Sequence, residues 1–96
     1  MREFDDFMEI VRKIRRNCPW DSVQTHESLK KYLLEESNEV LEGIDRLSKE
    51  NDRTNLCEEL GDVLFQVALH SVIAEEEGLF TVEDVIRDVS SKMKFR

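Results

Sequence analysis

Proline occurs once and glycine three times in 96 residues. That leaves little material for tight turns, so a fold of many strands is disfavoured and long helices are expected. Long hydrophobic runs are missing too. Nothing approaches the roughly eighteen consecutive apolar residues of a membrane span, and the start, Met1-Arg2-Glu3-Phe4-Asp5-Asp6, lacks a signal-peptide apolar core. No membrane partner is therefore expected. Cysteine is limited to Cys18 and Cys57, with no C-x-x-C pair; a disulfide framework is excluded and a reduced, cytoplasmic setting is expected. With His26 and His70 these cysteines match no zinc spacing, and both histidines read as structural. Positive charge is also short: 14 Lys and Arg against 22 Asp and Glu give a net charge of −8. A nucleic-acid partner is not expected of such a surface. A nucleotide remains compatible with it, provided metal ions bridge carboxylates to phosphates.

What is present is 40% hydrophobic and 38% charged residues in helical periodicity, read as one small domain over residues 1–96. A chain of this length buries only about two-thirds of its unfolded surface, so a partner subunit would help. A first helix is predicted from Glu3 to Arg16, with Phe4, Phe7, Met8, Val11 and Ile14 as its apolar stripe, stopped at Asn17-Cys18-Pro19. Thr25 is the expected N-cap of a second helix reaching Leu47, with Leu29, Leu33, Val40, Ile44 and Leu47 inward. Residues 48–53 read as a polar turn. A third helix is predicted from Thr54 to Glu77, with Gly78 beyond its end. It is apolar on most sides, which suits a core or a subunit interface. Gly61, in its middle, suggests close backbone packing. Thr81 and Asp84 resemble a capping box for a fourth helix, with Phe80 stapled to Val85, and with Val82, Val85, Ile86, Val89 and Met93 inward.

Two acidic pairs carry the most information. Glu36-x-x-Glu39 and Glu59-x-x-Asp62 each place two carboxylates on one helix face. They also mirror each other about Lys49: Glu39 and Glu59 lie ten residues to either side, Glu36 and Asp62 thirteen. Antiparallel helices joined near Lys49 bring all four to matching heights. Similar pairs at Glu3/Asp6, Asp6/Glu9 and Glu42/Asp45 read as solvated faces. The mirror placement and the apolar, largely dry surroundings expected of Glu59 and Asp62 separate the central four from these. Four carboxylates at one level need a cation, and hard oxygen ligands with room for water suit magnesium, or manganese as its substitute. A ferritin-like di-iron site would need Glu-x-x-His, and valines precede His26 and His70 by three.

The same residues resemble a family. Leu34-Glu35-Glu36-Ser37-Asn38-Glu39-Val40-Leu41 and Glu58-Glu59-Leu60-Gly61-Asp62-Val63-Leu64-Phe65-Gln66-Val67 are similar to the EExxE…ExxD signature of MazG-type nucleoside triphosphate pyrophosphohydrolases. Cys18-Pro19-Trp20-Asp21 with Gln24 to Leu29, and Ala74 to Phe80, extend the likeness over nearly the whole chain. The resemblance implies an all-α, four-helix fold around a central antiparallel hairpin, assembled as a homodimer or homotetramer. It implies hydrolysis of NTPs or dNTPs to monophosphate and pyrophosphate, in the service of nucleotide-pool house-cleaning. By position, Glu36, Glu39, Glu59 and Asp62 match the metal ligands, and Glu35 the first glutamate of the signature. Glu35 or Glu36 is the expected catalytic group that orients or deprotonates water. Lys92 and Arg96 match cations that approach the phosphates; they equally suit a helix C-terminus as solvated charges. Trp20 reads first as a core anchor and second as a platform for a base.

Two departures qualify the likeness. Family members usually continue past Lys94-Phe95-Arg96 with a His-Pro-His-type segment, so part of the nucleotide pocket is expected to lie outside this sequence. The sequence also looks more like the N-terminal half of two-domain members. A non-catalytic helical dimerisation module is therefore the competing expectation.

Overall fold

The computed structural model describes residues 1–96 and contains helices and no strands. Four α-helices follow in order: α1 (Arg2–Asn17), α2 (His26–Glu50), α3 (Arg53–Glu76) and α4 (Val82–Lys94), with one 3₁₀ turn at Asp21–Val23. They form two compact units, Gln24–Val67 and Met1–Val23 with Ala68–Arg96.

The unit Gln24–Val67 is a helical hairpin. Thr25 caps α2 as its sequence implied: its hydroxyl accepts from Ser28 N–H at 3.0 Å, and Ser28 Oγ accepts from Thr25 N–H at 2.8 Å. A cap of this kind contributes about 1 kcal/mol. The helix continues three residues past the expected Leu47, because Ser48, Lys49 and Glu50 are polar without being helix breakers. It ends at Asn51 in the left-handed region (φ 57°), where Asp52 N–H reaches back to the Arg46 carbonyl at 3.3 Å. Asp52 then starts α3, its carboxylate accepting from Asn55 N–H at 3.1 Å. The turn is thus only Asn51 and Asp52, much tighter than the six-residue segment 48–53.

Gly43, not Gly61, marks the close approach of the two helices. A Cβ on Gly43 would stand 3.2 Å from Leu56 Cα and 3.1 Å from Asn55 Oδ1, whereas one on Gly61 would meet nothing within 4 Å. The inward stripe expected of α2 is only partly covered: Leu29 is buried, while Leu33, Ile44 and Leu47 are exposed. Leu60, Leu64 and Val67 of α3 are exposed as well.

In the other unit, Met8 and Val11 of α1, Leu69, Val72, Ile73 and Ala74 of α3, and Val82 of α4 are buried. Arg15, only 13% exposed, joins three segments of it. Its guanidinium donates to both carboxylate oxygens of Glu76 (2.9 and 3.1 Å) and to the Asp21 carbonyl (2.7 Å). Bidentate pairing of this sort is the strong form of an ion pair. Gly78 ends the third helical run at φ 71°, with Leu79 N–H bonded to the Ala74 carbonyl at 2.9 Å. The Thr81–Asp84 capping box is complete, and the Thr81 N–H, followed by Arg87, holds the Asp84 carboxyl below the usual carboxylate range. Along α4 the expected inward stripe fails after Val85, since Ile86, Val89 and Met93 are exposed. Trp20 is 46% exposed, so it is not the buried anchor its proline turn suggested.

Two substitutions test these joints. Gly78→Ala places a side chain at positive φ and should cost about 1–2 kcal/mol. Gly43→Val should cost about 2 kcal/mol through overpacking. Urea denaturation that leaves either variant at wild-type stability contradicts the corresponding account.

Candidate metal centre

The hairpin brings the two acidic pairs together. One carboxylate oxygen from each of Glu36, Glu39, Glu59 and Asp62 lies within 4.8 Å of the others. Glu36 and Glu39 sit one turn apart on α2, seven and four residues before Gly43; Glu59 lies three residues after Leu56 on α3. The close approach at Gly43 and Leu56 is therefore about one turn from the cluster and keeps the facing carboxylates near. Glu36 and Glu59 are half-buried, and Glu39 and Asp62 are exposed. Asp62 thus departs from the dry setting expected of it. Glu35 lies on α2 beside Glu36, exposed.

The electrostatics are those of like charges held together. Glu59 is pushed up to about 7, first by a hydrogen bond with the Glu39 carboxyl, then by burial and by the charges of Glu39, Asp62 and Glu36. Glu36 is raised chiefly by burial, followed by the charges of Glu39 and Asp62, a hydrogen bond with Glu39, and the charge of Glu35. Every charge acting on these two groups is negative. Glu36 Oε2 and Glu59 Oε2 are also buried without a hydrogen-bond partner. Buried oxygens of this kind are costly unless something donates to them or coordinates them. Four carboxylates, two of them with such oxygens, fit a hard divalent cation.

The remaining expected site residues belong to the other unit. Lys92 is exposed on α4 and lines an open groove of about 720 Å³ with Phe80, Val85 and Val89; no member of the carboxylate cluster lines it. Arg96 follows α4 and is exposed, its Nη1 4.0 Å from Met93 Sδ. Two residues of the hairpin were missed from sequence. Gly43 gave no signal except its small size. Gln66, buried and four residues beyond Asp62, was detectable only as a polar residue in the apolar stretch of α3.

Comparison with known proteins shows the family of the chain. Residues 24–96 match the family model described as the MazG nucleotide pyrophosphohydrolase domain. A Thermotoga maritima protein named nucleoside triphosphate pyrophosphohydrolase/pyrophosphatase MazG is 49% identical over 94% of this chain and 34% of its own length. The Escherichia coli K12 nucleoside triphosphate pyrophosphohydrolase is 38% identical over 100% of this chain and 36% of its own. An uncharacterised Bacillus subtilis protein, YabN, is 53% identical over 95% of this chain and 18% of its own. The chain thus spans about a third or less of the length of these relatives.

The raised carboxyls give a pH dependence of definite sign. Glu36 and Glu59 bind protons more tightly folded than unfolded, so their contribution is full below 4.5 and is lost as pH rises, for Glu59 through about 7. The melting temperature of chelator-treated protein should fall from about pH 5 to about pH 8, and Glu59→Gln should flatten that slope. Asp84 acts in the opposite direction, but only near and below 3.8. A melting temperature that climbs across the upper window would contradict the electrostatic account.

Proposed function

Because this chain belongs to the MazG nucleotide pyrophosphohydrolase family, we propose that it hydrolyses nucleoside triphosphates to nucleoside monophosphate and pyrophosphate, with magnesium as cofactor. The observation that carries this reading is the four-carboxylate cluster with its two partnerless oxygens. Relatives named as nucleoside triphosphate pyrophosphohydrolases support the substrate class.

Glu36, Glu39, Glu59 and Asp62 would hold the ion. When bound, magnesium neutralises triphosphate charge and acidifies coordinated water. Phosphoryl chemistry asks a protein mainly for positioning and charge stabilisation. Glu35 or Glu36 then orients the attacking water or takes its proton. Lys92 and Arg96 offer positive charge for phosphate oxygens, and the exposed face of Trp20 accepts a base by stacking.

The chain works as a homodimer or homotetramer on this reading. Leu33, Leu34, Leu41, Leu60, Leu64 and Val67 of the hairpin are each more than a third exposed. Apolar exposure of that extent on one small unit suits burial against a second copy.

Pyrophosphate release from a panel of NTPs and dNTPs, with magnesium and with EDTA, tests the activity. Magnesium-dependent release with matching monophosphate is expected, and Glu36→Gln or Asp62→Asn should lower it at least about 100-fold with helicity intact. Label from oxygen-18 water appearing in the monophosphate would assign attack to the α-phosphorus. No release from any nucleotide favours the non-catalytic helical dimerisation module. Sedimentation should give a dimer or tetramer, and Leu64→Glu a smaller species; a wild-type monomer contradicts the assembly.

A further inference from the structure

Gln66 is a buried polar side chain that the roles above do not use. It is 6% exposed, and its Oε1 is buried without a hydrogen-bond partner. The same condition marks Oε2 of Glu36 and Oε2 of Glu59. Gln66 lies seven residues beyond Glu59 and four beyond Asp62 on α3. At about 100° per residue it falls between them around the helix axis, about 20° from Glu59 and about 40° from Asp62. Three partnerless oxygens are thus carried by the face that presents the cluster and by the Glu36 that opposes it.

The chemistry of an amide oxygen narrows what it awaits. In this orientation of the amide it accepts hydrogen bonds and cannot donate, so it calls for a donor. Its one-turn offset from Asp62, about 6 Å of rise, sets its backbone one layer away from the four carboxylates that supply the direct ligands. It suits contact through one water. Small hard cations keep several waters of hydration, and each is a hydrogen-bond donor. Buried oxygens beyond the direct ligands commonly hold such sites in register.

We propose that Gln66 is a positioning residue for the hydrated divalent cation, its Oε1 accepting a hydrogen bond from a water of the ion's hydration shell. The proposal rests on the metal reading of the four carboxylates.

Its test is metal binding rather than turnover. Mn²⁺ binding to the full chain is followed by EPR, with water-proton relaxation to report hydration of the bound ion. The metal-free melting temperature is measured alongside. In Gln66→Leu the metal-free protein should melt at or above the wild-type temperature, because an unsatisfied acceptor has been removed. Its Mn²⁺ affinity should fall about tenfold, with altered relaxation enhancement. Gln66→Glu keeps an acceptor in the same place; it should melt lower without metal, through a fifth nearby carboxylate, and regain wild-type affinity or better. Should the leucine variant not fold, the glutamate variant decides: weakened Mn²⁺ binding overturns the proposal. Undiminished affinity in Gln66→Leu, whatever its melting temperature, assigns Gln66 to packing and overturns it as well. Glu36→Gln separates the two levels. Wild-type Mn²⁺ binding that survives Glu36→Gln removes the metal reading itself, whereas binding lost there and retained in Gln66→Leu removes only the role of Gln66.

Discussion

Mutual repulsion among Glu36, Glu39, Glu59 and Asp62 is the constraint around which the hairpin is organised. Carboxylate oxygens within 4.8 Å of one another oppose closure of α2 on α3. The hairpin closes because other terms outweigh that repulsion: a two-residue turn through Asn51, a close contact between Gly43 and Leu56, and the raised proton affinity of Glu59. A cation is the other way to satisfy the same charges.

The acidic cluster and the helix caps were legible because both are local. An i, i+3 pair defines a face wherever its helix goes, and mirror spacing needs only one turn to become proximity. Thr25 and Thr81 each announced a helix start through side-chain chemistry within four residues, and both capping boxes are present. The family resemblance drew on these same acidic residues, and residues 24–96 match that family.

What was not legible depends on neighbours that sequence does not name. Ile44 and Leu47 have the periodicity of a buried stripe, but periodicity marks an apolar face without saying what covers it. Gly61 drew attention as a glycine between two acidic residues, while the actual close contact belongs to Gly43, whose surroundings are set by the crossing of α2 and α3. The end of α2 was placed early because Ser48-Lys49-Glu50 is polar, and polarity alone does not stop a helix. The upward displacement of Glu59 depends on its distance from Glu39, which no spacing rule supplies.

The raised proton affinity of Glu59 has a thermodynamic corollary. A cation entering this cluster near neutral pH would exchange with hydrogen ion, so loading would acidify the surrounding solution. Its apparent affinity then steepens with alkalinity, and the heat of association carries the ionisation enthalpy of whichever buffer takes up the displaced proton. Two calorimetric titrations in phosphate-free buffers of unlike ionisation heat would differ by that exchange alone. On the metal reading, the cluster would couple divalent-ion occupancy to ambient acidity through Glu59 and the opposed Glu39.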